Sequence, residues 1–228
     1  MIRRRLVYGK NKIKRKYGIR EQRSLHIAGA TGVTNILLGL GKIGFGLASL
    51  SLFICVNGCY TLGMAAARYC ALMGTVHAKE KNNEYFYYRV AGKIMITSSL
   101  LYIIYSIWSI YDPIQTEYGK ITAITIATIT FTEIGLNMRG VLKHRKSKYP
   151  MLHALKTIGL GTSLISLVLT QSAILSFTGE LQYPAINGFF GTVMGGLAAL
   201  LGVYMIWRIG KIEKQNGGRK HDPYIGSR

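Results

Sequence analysis

Few side chains in this 228-residue chain are of a type that does chemistry, and those few stand apart from one another. Glu133 is the one acid inside an apolar stretch. A carboxyl group there could relay protons or pair with a cationic solute. It also lies about two helical turns before Arg139, where a basic neighbour or protonation would satisfy it. Lys42 stands toward the outer end of the first apolar run, and its ammonium is expected to extend to the interface. Cys55 and Cys59 are one turn apart, the spacing of two soft ligands for Cu(I) or Zn²⁺. Cys70 is about three turns further along, too far to complete a four-ligand zinc site, so small packing residues are expected. His26, His77, His144, His153 and His221 fall at the ends of apolar runs or in polar segments and show no pairing pattern. Asn35, Asn57, Asn137 and Asn187 are expected to bridge helices, at about 0.6 kcal/mol each. There is no nucleophile–base pair, phosphate loop or cofactor motif. No enzyme activity, cofactor or metal site is expected.

The elements that carry these residues are long apolar runs. From Val90 to Tyr111 the only charge is Lys93, in the first turn. At about 1.5 Å per residue this run crosses a hydrocarbon layer of about 30 Å. Tyr88 precedes it, Trp108 and Tyr111 close it where aromatic rings favour the lipid–water boundary, and Asp112–Pro113 ends it. Five further runs repeat the theme. The spans are expected at about 27–46, 50–73, 90–111, 120–138, 152–177 and 184–207. The fold class is all-α, a polytopic membrane bundle of six transmembrane helices. Glycines crowd the first run (Gly29, Gly32, Gly39, Gly41, Gly44, Gly46) and the sixth (Gly188, Gly191, Gly195, Gly196, Gly202), which permits close helix packing in lipid.

Charge makes up 17% of the chain and collects between the runs, where a soluble domain would spread it over its surface. Residues 1–25 form a basic tail of ten Lys and Arg against Glu21 alone. The tail is expected to sit on anionic lipid head groups, at about 1 kcal/mol per basic residue near the surface. Segments 76–89 and 139–150 and the polar tail 209–228, expected to be disordered, hold most of the remaining basic residues. The three alternate connections carry Asp112, Glu117 and Glu180, with Lys120 at a helix start. The alternation puts both termini in the cytoplasm. The +20 net charge is therefore assigned to loops flanking spans, and no nucleic acid partner is expected. A multi-pass protein of the cell membrane is the expected localisation. The first run lacks a small-residue cleavage site and is read as retained.

Taken together, the six spans resemble the transmembrane part of a cation diffusion facilitator, the family of zinc, manganese and iron–proton antiporters. The first run reads N-I-L-L-G-L-G-K from Asn35 to Lys42, with Gly44 two residues on. The second begins S-L-S-L at Ser49 to Leu52. The third follows a Tyr/Arg segment, the fifth follows a basic loop, a Pro and a Leu, and the sixth ends in a basic tail. The resemblance covers about residues 26–214 and implies a transporter-like bundle and a homodimer. In that family the second and fifth spans each carry two metal ligands four residues apart, such as D-x-x-x-D or H-x-x-x-D. Alignment on S-L-S-L places Asn57, Tyr60 and Met64 near the second-span positions, and Ile158 and Thr162 at the fifth-span positions. Neither span contains Asp or Glu, so the divalent-metal site is lost. Residues 209–228 are also too few for the family's cytoplasmic metal-sensing domain. The expected cavity is lined by Asn57, Tyr60, Thr61, Thr162 and Ser166, with Glu133 reachable from it. The alternatives are a membrane scaffold or regulatory subunit, and a substrate-binding subunit of a vitamin importer.

Overall fold

The computed structural model describes residues 19–48, 52–77, 81–111, 150–175 and 183–218, together with Ile124, Thr128 and Phe131, which are helical. Among the described residues the fold is all-helical: α1 (Ile19–Ala48), α2 (Leu52–His77), α3 (Lys81–Tyr111), α4 (Pro150–Leu175) and α5 (Tyr183–Gly218). Four of these are long and apolar enough to cross a membrane, over Leu25–Ala48, Asn83–Tyr111, Pro150–Ser172 and Ala185–Gln215. The chain therefore has the helices of a membrane protein. In α2, the charge of Arg68 and the amide of Asn57 lower its apolarity, and both side chains are buried.

Helix direction follows from which residues meet. Gly39 packs on Gly58, Gly63 on Ser98, and Gly74 on Tyr87, so α1, α2 and α3 run alternately. Gly188 meets Ser106 and Gly202 meets Gly92, which sets α5 antiparallel to α3. The Tyr88–His153 contact and the approach of Met95 to Gly161 set α4 parallel to α3. Ile19 and Gly218 therefore lie at one end of the bundle, here termed the basic end. Ala48, Leu52, Tyr111, Leu175 and Tyr183 lie at the far end.

Among the described residues, packing of α3 on α5, elements about 100 residues apart in the chain, is the most extensive. Its cause is legible in the residues. Gly92, Ser99 and Ser106 recur every seven positions on α3, and Gly188, Gly195 and Gly202 do so on α5. A seven-residue repeat of small side chains keeps one narrow face toward a partner at a shallow crossing, and van der Waals contact between backbones replaces the hydrophobic effect that lipid removes. Helix α4 is the central element, with 78% of its most apolar stretch buried against 17% for α1.

Aromatic side chains mark two levels on the outside. Phe45, Trp108 and Phe189 are exposed within about a turn of one another near the far end. Tyr69 and Trp207 are exposed level with Gly92. From Gly92 to Trp108 the helix rises about 24 Å, close to the thickness of a hydrocarbon core. Lys211 caps the lower ring, with Nζ 5.5 Å from the Trp207 centroid.

Three boundaries differ from the expectations, the first being that of α1, which begins at Ile19 within the expected basic tail. The segment 76–89 is helical from Lys81 onward, as the first turns of α3. The carboxyl-terminal segment expected to be disordered from Arg208 continues as α5 to Gly218. The last two extensions pass beyond the lower aromatic level, where polar sequence conceals the helix from an apolar-run criterion. Their packing, joined by an ion pair between Arg89 and Glu213, stabilises turns that would be marginal alone. The expected fourth span at 120–138 lies outside the described residues apart from Ile124, Thr128 and Phe131.

Candidate functional site

The site is a polar joint in the half of the bundle nearer the far end, built from α1, α2 and α3 with the backbone of α4 beneath it. Close approach of α1 to α2 comes first. A Cβ on Gly58 would stand 2.9 Å from the Gly39 carbonyl oxygen, so only glycine permits this spacing. That proximity lets the half-buried Lys42 reach across to α2. Its Nζ donates to Asn57 Oδ1 at 2.7 Å and, at longer range, to Thr61 Oγ1 at 3.4 Å. The Thr61 hydroxyl in turn donates to the Asn57 carbonyl at 2.8 Å. The expected extension of Lys42 to the interface is thus corrected: the ammonium turns inward, because a charge-assisted bond of about 1.5–3 kcal/mol is available there.

Tyr60, one turn from Asn57, donates to the Gly161 carbonyl of α4 at 3.1 Å. Gly161 allows this crossing, with Met64 and Met95 closing over it. The Tyr60 ring lies against Tyr102 of α3, centroids 5.5 Å apart at 59°. Asn57 and Ser106 lie beside the Tyr102 hydroxyl, and Ser99 lies beside that of Tyr60. No aligned hydrogen bond reaches Asn57 Nδ2, Ser99 Oγ or the Tyr102 hydroxyl. Leaving a buried polar atom unpaired costs about 1–3 kcal/mol.

Of the expected cavity residues, Asn57, Tyr60 and Thr61 come together at this joint. Thr162 and Ser166 are buried on α4. The Thr162 hydroxyl donates to the Ile158 carbonyl of its own helix at 3.0 Å. Glu133 lies outside the described residues. Ser99 and Tyr102 were not anticipated. The signal available for them was the small-residue heptad through Ser99 and a tyrosine placed deep within a span, away from the interfacial levels where tyrosine is common.

A second polar group lies toward the basic end. Tyr88 Oη and His153 Nδ1 are 3.2 Å apart, Thr157 Oγ1 is 3.3 Å from the same nitrogen, and His153 packs on the Tyr204 ring. His153 is thereby tied into the α3–α4–α5 packing. The cysteines are free thiols, Cys59 exposed and Cys55 and Cys70 half-buried. Among the described residues no three His, Cys, Asp or Glu side chains are grouped to hold a metal.

Chemically, the joint offers hydrogen-bond donors and acceptors in a setting from which bulk water is excluded, with one ammonium at its edge. It has no nucleophile paired with a base. The chain matches no protein-family model, no curated protein and no solved structure.

Proposed function

We propose that this chain is a six-span protein of the cell membrane with both termini in the cytoplasm and a transporter-like bundle. Its interior handles a solute other than a transition-metal dication. The observation that carries this reading is the inward turn of Lys42 onto Asn57 and Thr61. A lysine this close to the far end can reach the interface along its own stem. Turning it inward forgoes that contact with water, and ionisable groups held within a membrane bundle mark solute and ion pathways. Span number and sidedness come from the apolar runs and the distribution of basic residues, and the resemblance to cation diffusion facilitators adds the transporter-like reading without that family's metal chemistry.

Six spans are supported by helix direction. Tyr111 lies at the far end and Pro150 at the basic end, the placement that a further span at 120–138 calls for. The sidedness is supported by the basic residues Arg89, Arg208, Lys211 and Lys214 sharing the end at which Ile19 begins α1. Single cysteines in a cysteine-free background test it. Residues 112 and 180 should react with an impermeant maleimide from outside intact cells, and residues 79 and 147 only after permeabilisation. The reverse pattern overturns the orientation.

Transport is tested in proteoliposomes by solute-driven re-swelling and by flux of metal and organic ions, beside a Lys42→Met variant. If no solute class moves faster than in protein-free vesicles, the second reading holds. That reading is a membrane scaffold, self-associating or binding anionic lipid through residues 1–25. The close glycine packing of α1 on α2 and of α3 on α5 favours it.

A further inference from the structure

Helix α4 is buried on a side that its described neighbours do not explain. Its contacts with α2, α3 and α5 gather on one side: Met151 meets Gly74, Gly161 meets Tyr60 and Met95, and His153 meets Tyr88 and Tyr204. Among the described helices α1 touches it least. At about 100° per residue, Gly159, Ser163, Ser166 and Thr170 fall on the opposite side, and all four are buried. The hydroxyls of Ser163 and Thr170 turn back onto the carbonyls of Gly159 and Ser166, at 3.1 and 3.2 Å. That leaves a flat, small, uncharged face, the kind that membrane helices bury against another helix. Lys156 borders it, half-buried.

Chain length restricts what covers this face. Between Tyr111 at the far end and Pro150 at the basic end, the sequence holds one apolar run of membrane length, 120–138. Within it Ile124, Thr128 and Phe131 are helical and exposed, and the Thr128 hydroxyl donates to the Ile124 carbonyl at 2.8 Å. Spaced by four and three residues, they mark one outward face. In the same helical register Glu133 falls about 180° from that face, on the side of Thr122, Ile126 and Ile129. Depth agrees as well. The Tyr88–His153 and Met95–Gly161 contacts set Lys156 near the level of Gly92. A descent from Lys120 at the far aromatic level puts Glu133 about 20 Å down, within about a turn of Lys156. A carboxylate at that depth needs a compensating charge. Arg68 lies against Gly32 between α1 and α2, and Arg89 is engaged by Glu213, whereas Lys156 is on the border of the small face.

We propose that segment 120–138 is the span that covers the small-residue face of α4, antiparallel to it. Thr122, Ile126 and Ile129 lie on Ser166, Ser163 and Gly159, and the Glu133 carboxylate meets the Lys156 ammonium. Glu133 then anchors the bundle as a counter-charge rather than relaying protons. This rests on the six-span reading and assigns the place of the fourth span and the use of its acid.

The test uses the full-length chain in its membrane, with Cys55, Cys59 and Cys70 replaced by serine. Ile126→Cys paired with Ser163→Cys should form an intrachain disulfide under copper phenanthroline. It is read as a chain that stays in one piece after cleavage at a protease site engineered into segment 139–149. Thr128→Cys paired with Ser163→Cys, from the outward face, should not link. Equal linking of both pairs, or linking of neither, overturns the proposed contact. A disulfide-linked dimer assigns the face to a second copy and also overturns it. In the purified protein, Glu133→Gln and Lys156→Met should each lower the thermal midpoint by at least about 5 °C, and the double variant should recover most of that loss. Additive losses, or none, refute the ion pair. Residues 112 and 147 labelling from the same side of the membrane would remove the six-span reading and this one together. Labelling from opposite sides without the Ile126–Ser163 link removes this one alone.

Discussion

Alanine at Gly58 should be destabilising, whereas the same change at Gly44 should not. A Cβ at Gly58 would stand 2.7 Å from Ile43 Cγ1, 2.9 Å from the Gly39 carbonyl oxygen and 3.0 Å from the Ile43 nitrogen. The side-chain atom can turn away, but the two backbone atoms cannot, so α1 must move off α2. Overpacking of this kind costs about 1–3 kcal/mol. Alanine's better helix propensity returns about 0.5–1 kcal/mol, leaving a net loss of about 0.5–2 kcal/mol. At Gly44 no atom lies within 4 Å, and only the propensity term applies. The two variants should therefore differ by about 2 kcal/mol, or about 4–8 °C in Tm for a protein of this size. Thermal unfolding of the detergent-solubilised chain, followed by tryptophan fluorescence and gel filtration, measures it. Gly58 also adjoins Asn57, so separating the helices should weaken the Lys42 contact. Lys42→Met should then cost less in the Gly58→Ala background than alone. If Gly58→Ala proves as stable as Gly44→Ala, the backbone contact between α1 and α2 is refuted.

A double-mutant cycle on Lys42→Met and Asn57→Ala should give a coupling of about 1.5–3 kcal/mol, read from the same unfolding curves; additivity would mean that the 2.7 Å bond is absent. Tyr88→Phe should lose about 1 kcal/mol through the bond to His153, which keeps Thr157 as a partner. The Arg89–Glu213 pair has side chains 43% and 39% exposed, so Arg89→Ala should cost no more than about 1 kcal/mol and less in high salt. Cys59 faces outward between the aromatic levels and should react with a lipid-soluble maleimide but not with a charged one added to intact proteoliposomes.

Asn57, Tyr60 and Thr61 show how much of the site was legible beforehand. They share one element, and one-turn spacing on a helix already groups them. Ser99 and Tyr102 join them from α3, and Lys42 from α1. Thr162, chosen by alignment with a family site, instead bonds within its own turn. The glycine heptad of α5 was visible as a cluster of small residues, but its partner, the Gly92–Ser99–Ser106 face, could not be matched to it from separate stretches of chain.

The sequence alone determined that the chain is built of membrane-length helices. The hydrocarbon thickness sets the length of an apolar run, and charge is excluded from the runs and gathers between them, so one-dimensional composition carries that information. Polar turns broke the rule, as at Lys81–Arg89 and Arg208–Gly218, where neighbouring helices stabilise what composition does not. Only the tertiary structure decided the direction of Lys42. A long flexible stem can reach either water or a facing amide with little difference in strain. The choice depends on how closely two backbones approach, and that is a property of the pair Gly39 and Gly58 rather than of either residue.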